Sequence, residues 1–138
     1  KDNKTRVNLM KKKILIVCAN YYKDISTGLI TRATKTLPKN FNVSMINVPG
    51  VFEIPVTISK NLKKFDAFIA LGCVIKGETP HFEFISQATT NAIMKLTIQS
   101  KKPIGNGIIT CLNMKQAKAR KRKGAEASKA IISILSQR

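Results

Sequence analysis

Apolar residues along this chain fall into short runs that alternate with helically spaced stripes. The first run, Lys13 to Ala19 (KILIVCA), is continuous, the pattern of a strand buried on both faces. Phe41 to Val48, Phe65 to Val74 and Ile104 to Cys111 read as three further strands. Between the first two, Asp24 or Ser26 can cap a helix striped by Ile25, Leu29, Ile30, Ala33 and Leu37, and Pro38 stops it. After the turn at Pro49-Gly50, a helix starts near Glu53 or Ile54, with Pro55 in its first turn and Ile54, Ile58 and Leu62 inward. A long helix from Pro80 to about Gln99 is expected to bury Ile85, Ala88, Ala92 and Leu96. Asn113 can cap the next helix, with Gln116 in capping-box position. The last helix, Gly124 to Ser136, is expected to bury Ala127, Ala130, Ile131 and Ile134. Strands alternating with helices predict a three-layer α/β/α sandwich around a four-stranded parallel sheet.

In open sheets of this kind ligands bind beyond the carboxyl ends of the strands. Those ends are Asn20-Tyr21, Pro49 to Glu53, Cys73 to His81, and Cys111 to Asn113. The third is the most distinctive. Its strand runs into Lys76-Gly77-Glu78-Thr79, then Pro80 and the lone histidine, His81. Thr79 suits an N-cap and Pro80 a first helical turn, so the turn offers free N–H groups at a positive helix end. It reads as an anion cradle beside a titratable base, or equally well as an ordinary connection with an idle histidine. The gathering of aromatic, acidic and titratable residues at all these ends favours the first reading. At the second end Gly50 lets backbone approach a ligand, and Glu53 can accept from hydroxyls or merely complement the helix dipole.

Composition narrows the field. The 138 residues suit one domain and are 43% hydrophobic, enough for a core. No apolar run nears the ~20 residues that span a bilayer, and Ile14 to Ala19 is too short for a signal-peptide core, so a cytoplasmic protein is expected. Residues 1–12 read as a flexible arm and 13–138 as the domain. Three cysteines without a C-x-x-C pair, with one histidine, leave little for a disulfide framework or a metal site. Cys73 and His81 could form a thiol nucleophile and its base, but buried, reduced thiols explain all three cysteines better. A net charge of +18 makes nucleic acid a partner to consider, yet no zinc-finger spacing, RNA-recognition signature or aromatic platform accompanies it.

The blocks VPGVFEIP, FDAFIALGCVIKGETPHFEFI, GIITCLNMKQAKAR and KGAEA closely resemble the 6,7-dimethyl-8-ribityllumazine synthase family. The likeness covers nearly the whole chain from Lys13. It implies a flavodoxin-like fold and a cofactor-free, metal-free condensation in riboflavin biosynthesis. The two small-molecule substrates would be 5-amino-6-(D-ribitylamino)uracil and 3,4-dihydroxy-2-butanone 4-phosphate. By the same resemblance Tyr21 stacks on the pyrimidinedione, and Val51, Phe52 and Glu53 hold the ribityl chain. The strand end Cys73, Val74 and Ile75 reads the uracil edge with its backbone. Gly77, Glu78 and Thr79 form the phosphate turn, His81 moves protons, Arg120 grips phosphate, and Lys123 lies at the pyrimidine end. It further implies a homo-oligomer, such as a pentamer, with active sites at subunit interfaces, and an N-terminal arm that pairs with a neighbour. Neither a membrane nor specific nucleic acid is implied.

The sequence departs from the family pattern twice. Asn106 stands where many relatives carry an aromatic that closes over the ring. The link from Arg120 to Lys123 is several residues short, which leaves Arg122 as a rival counterpart of Arg120. A related pentameric riboflavin synthase, a non-catalytic shell protein and a basic nucleic-acid-binding protein on the same fold are the alternatives.

Overall fold

The computed structural model describes residues 11–77 and 81–137. The elements run β1 (Lys13–Ala19), α1 (Lys23–Thr36), β2 (Asn42–Val48), a 3-10 turn (Val51–Glu53), α2 (Ile54–Lys60), β3 (Ala67–Ile75), α3 (His81–Ser100), β4 (Ile104–Cys111), α4 (Met114–Ala119) and α5 (Lys123–Leu135). The four strands are all parallel and lie in the order β2-β1-β3-β4. Each connection between strands contains a helix, as parallel pairing demands. No helix among the described residues is long and apolar enough to cross a membrane.

Successive strand residues point to opposite faces, which divides the core in two. Ile14, Ile16 and Cys18 of β1 pack with Ile25, Leu29 and Ala33 of α1 and with Ala127 and Ile131 of α5. Leu15, Val17 and Ala19 face the other way, against Ile54 and Ile58 of α2 and Ile93 of α3. β1 is buried from Ile14 to Ala19, which is why it reads as an unbroken apolar run. Each fully buried Ile or Leu contributes roughly 1.5–3 kcal/mol of transfer free energy.

Several boundaries and faces differ from expectation. α1 begins at Lys23 with Tyr22 at the cap and no side-chain cap bond. Ser26 is instead a buried tie, its hydroxyl donating to the Ala19 carbonyl at 2.9 Å, while Asp24 lies in the first turn. β2 starts at Asn42 and β3 at Ala67. Phe65 stays outside β3 because Asp66 closes the corner: its carboxylate accepts from Lys13 N–H at 2.7 Å and its own N–H donates to Lys13 O at 2.8 Å. The expected cap at Thr79 and Pro80 lies outside the described residues. The Asn113 cap is present, with Oδ1 accepting from Gln116 N–H at 2.9 Å. The reciprocal bond goes one residue further back than in a standard capping box, from Leu112 N–H to Gln116 Oε1 at 2.8 Å.

Helices α3 and α5 turn different faces inward from those expected. α3 buries Thr89 and Ile93, leaves Ile85, Ala92 and Leu96 half-buried, and exposes Ala88. Phe84, Met94 and Ile98 form an exposed outer stripe. α5 buries Gly124, Ala127, Ser128 and Ile131, whereas Ala130 and Ile134 are exposed. Contact distance decides this second case. A Cβ at Gly124 would lie 2.2 Å from Leu29 O of α1, and one at Gly105 of β4 would lie 2.2 Å from Ala127 O. Ser128 completes the contact by donating to Ala33 O at 2.8 Å. Small residues therefore face inward in α5, at the expense of larger apolar ones.

Candidate active site

A cavity of about 780 Å³ opens at the carboxyl ends of β1 and β3. Four separate segments meet there. Tyr21 and Tyr22 come from the end of β1, and Gly50 to Glu53 from the turn after β2. Cys73 to Ile75 form the end of β3, Gly77 follows, and the first turns of α3 bring His81. Tyr21 is 75% exposed and stands edge-on to Tyr22, ring centroids 4.8 Å apart, so its face is open to a planar ligand. Phe52 is exposed and Val51 buried, because the single 3-10 turn sends them to opposite sides.

Gly50 has an extended backbone that any residue can adopt, φ −147° and ψ 169°. A Cβ there would lie 3.1 Å from Glu53 Oε1, so the space Gly50 leaves is next to that carboxylate. The Glu53 main chain is fixed on both sides, its N–H donating to Gly50 O at 3.1 Å and its carbonyl accepting from the Thr57 hydroxyl at 2.9 Å. Gly77 faces open space, with nothing within 4 Å of a Cβ built on it. Glu78 and Thr79, the other members of the expected phosphate turn, lie outside the described residues. His81, the first residue of α3, is exposed at the cavity wall.

Burial pushes the Cys73 thiol up to about 12, with the neighbouring Cys111 adding to the effect. At neutral pH it is a protonated thiol and no nucleophile, which removes the Cys73–His81 pairing considered from sequence. Burial likewise raises Cys18, and all three cysteines are free and buried. Tyr22 is raised by burial first and then by Cys73 and Tyr21. Among the described residues no three His, Cys, Asp or Glu side chains gather as a metal-ligand set.

The basic residues lie elsewhere. Arg120, Arg122 and Lys123 line a second cavity of about 300 Å³ with Ile108 to Thr110 and Glu126, and the two cavities share no lining residue. The Arg120 guanidinium donates to Thr110 O at 3.2 Å, at the end of edge strand β4. Glu126 lies 3.7 Å from Arg122 and 3.5 Å from Lys123, in exposed pairs. The short link is a three-residue turn between α4 and α5, with Lys123 N–H donating to Arg120 O at 3.0 Å. Arg120 and Arg122 thus flank one cavity. Asn106 lines neither; its Oδ1 accepts from Ile108 N–H at 3.0 Å.

Sequence reasoning missed Tyr22, Phe82, Phe84, Ile85 and Ala88, which also line the large cavity. The HFEF stretch carried the signal, since two aromatics so close to the start of a helix cannot both face the core.

An α/β protein with a cleft over the ends of parallel strands and a single histidine at its wall has the form of a small-molecule enzyme. The profile of the family 6,7-dimethyl-8-ribityllumazine synthase matches residues 11–138. A protein of that name from Bartonella henselae is 44% identical over 135 residues, covering 91% of this chain and 87% of the relative. The protein of that name from Nitrobacter hamburgensis is 38% identical over 145 residues, covering 96% and 89%. That from Corynebacterium kroppenstedtii is 37% identical over 128 residues, covering 87% and 80%. The chain belongs to the 6,7-dimethyl-8-ribityllumazine synthase family, transferases of riboflavin biosynthesis. These matches favour the condensing enzyme over the alternatives raised from sequence.

Proposed function

We propose that the large cleft is where this chain performs its family's reaction. That reaction condenses 5-amino-6-(D-ribitylamino)uracil with 3,4-dihydroxy-2-butanone 4-phosphate to 6,7-dimethyl-8-ribityllumazine. The observation that carries the reading is the meeting of Tyr21, Val51 to Glu53, Cys73 to Ile75, Gly77 and His81 in one cavity from four segments of chain. Tyr21 stacks on the pyrimidine, Phe52 and Glu53 hold the ribityl hydroxyls, and the main chain of Cys73 to Ile75 reads the uracil edge. Gly77, with Glu78 and Thr79, receives the phosphate.

The ring amine attacks the ketone and loses water to give an imine. Phosphate is eliminated, and the resulting enol tautomer closes onto the ribitylamino nitrogen with loss of a second water. His81 shuttles the protons, as an imidazole can near neutral pH. No side chain becomes covalently attached. Holding the two substrates in register is the main source of rate, worth ~7–11 kcal/mol in favourable systems.

Arg120 grips the phosphate from a neighbouring subunit, and Lys123 accompanies it. Their separation from His81 and Glu53 into a second cavity supports this arrangement. A head-to-tail ring, a pentamer by the family resemblance, brings the two half-sites together. The stripe of Phe84, Met94 and Ile98 supplies apolar contact; the expected N-terminal arm lies, but for its last two residues, outside the described residues. The enzyme works in the cytoplasm.

Absorbance of the lumazine product, on mixing protein with both substrates, tests the reaction. Reassembling His81→Ala and Arg120→Ala proteins at equal ratio tests the shared site. Random mixing places two intact halves together at about one site in four, so activity rises toward that fraction of the parent. Mass-verified mixed rings that show only the average of the two variants would place both residues in one subunit's site.

A further inference from the structure

The end of the sheet away from the cleft, where the strands begin, carries an unusual concentration of lysine. Lys11, Lys12 and Lys13 lead into β1, and Lys39 precedes β2. Lys60, Lys63 and Lys64 lie between the end of α2 and β3, and Lys101 and Lys102 precede β4. Main-chain bonds tie these approaches side by side: Asn42 N–H donates to Lys12 O, Asp66 N–H to Lys13 O, and Phe68 N–H to Pro103 O. Of the acids among the described residues only Asp66 belongs to this pole, and it is occupied by the Lys13 main-chain N–H. Asp24, Glu53, Glu83 and Glu126 all lie in first turns of helices near the cleft end. Among the described residues no lysine of the pole forms an ion pair; both pairs present involve Glu126. Lys102 alone is tied down, its ammonium donating to the carbonyls of Leu62 and Phe65.

The pole is not flat. A groove of about 500 Å³ runs beside edge strand β2, lined by Lys13, Lys63 and Lys64 with Asn42, Ser44 and Asn61. Three lysines beside two asparagines and a serine suit a phosphate diester. The reaction does not use this end of the molecule, so catalysis leaves the charge unexplained.

We propose that this lysine pole binds the phosphodiester backbone of duplex nucleic acid without regard to sequence, one phosphate resting in the groove beside β2. Lysine supplies point charges, where base-edge recognition favours the bidentate fork of arginine, and among the described residues the segments that lead into the four strands hold no arginine. It also lacks an exposed aromatic platform for unstacked bases: Phe41 is buried, and Phe65 is half-buried against Phe68. Both features favour a duplex over a single strand.

Fluorescence anisotropy of a labelled 20-base-pair DNA duplex of mixed sequence, titrated with the full chain from 50 to 300 mM KCl, tests the proposal. Each phosphate neutralised contributes a slope of about −0.9 in log K against log salt. The triple variant Lys39→Gln, Lys63→Gln, Lys64→Gln should lower affinity by ~10²-fold at 100 mM salt and flatten the slope by two to three. It should still form lumazine at the parent rate. A control losing the same charge elsewhere, Lys115→Gln, Lys118→Gln, Lys129→Gln, should change affinity by less than about threefold, since screened charges off the contact contribute little. Equal weakening by both triples would overturn the proposal, as would absence of binding at 50 mM salt. Tighter binding of a single strand, or of anionic phospholipid vesicles, than of the duplex would also overturn it.

Discussion

Replacing Gly124 with alanine tests how firmly α5 fixes the basic half of the site. The added Cβ would lie 2.2 Å from Leu29 O, 2.9 Å from its carbonyl carbon and 3.1 Å from its Cα. Carbon and carbonyl oxygen ordinarily approach to ~3.3–3.6 Å, so α5 must retreat from α1 by about 1 Å. Overpacking of this sort typically costs ~1–3 kcal/mol, and no rotamer change relieves it because the opposing atoms are main chain. Alanine's better helix propensity returns at most ~1 kcal/mol. The clash wins, with a net loss of about 1–2 kcal/mol, or ~3–8 °C in Tm for a chain of this size. The first turn of α5 carries Lys123, and a 1 Å misplacement can cost ~10²-fold in rate. Thermal unfolding at matched protein concentration and the lumazine absorbance assay measure the two effects. A Tm within about 1 °C of the parent together with the full rate would refute the reasoning. So would rescue by Leu29→Ala, since trimming that side chain leaves its carbonyl in place.

His81→Ala should slow turnover yet leave clear residual activity, because positioning of the substrates outlasts the loss of a proton shuttle; complete loss with intact substrate binding would assign His81 an essential step. Burial raises the folded-state Cys73 from 9.0 to about 12, so its stabilising contribution is complete below pH ~9 and disappears as pH climbs toward 12. That range corresponds to at most about 4 kcal/mol. Cys73→Ala should therefore lose less stability than the parent between those pH values in urea unfolding, and parallel curves would exclude a desolvated thiol. Thr89 Oγ1 is buried without a hydrogen-bond partner; Thr89→Val should raise unfolding free energy by about 1 kcal/mol, and a decrease would show that the hydroxyl is satisfied.

β1 and β3 were legible because burial on both faces leaves an unbroken apolar run. Helix faces were less so. Hydrophobicity ranks Ile134 above Ser128, yet Ser128 goes inside, because the Gly124 and Gly105 contacts set α5 too close for a larger side chain. That constraint belongs to the partner surface and has no trace in the local pattern. The cleft end of the sheet was readable from alternation alone, since parallel strands gather their carboxyl ends. The motif blocks supplied the roles. That Tyr21, Glu53 and His81 line one cavity while Arg120 and Lys123 line another was not legible, because nothing within one chain's sequence states which edge of the sheet its last helices cover. Asn106 was tied to the site by family position, whereas its Oδ1 accepts from the nearby Ile108 N–H.

Among the described residues the acids other than Asp66 lie toward the cleft end, so the lysines where the strands begin have little carboxylate to offset them. Two copies that meet lysine end to lysine end repel until they are separated by more than the screening distance, ~10 Å at 0.1 M salt. That orientation is closed to close packing, whatever the apolar gain elsewhere. The flanks, where Phe84, Met94 and Ile98 lie exposed, carry no such penalty. Low salt, which lengthens the screening distance, therefore narrows the ways in which two copies can approach.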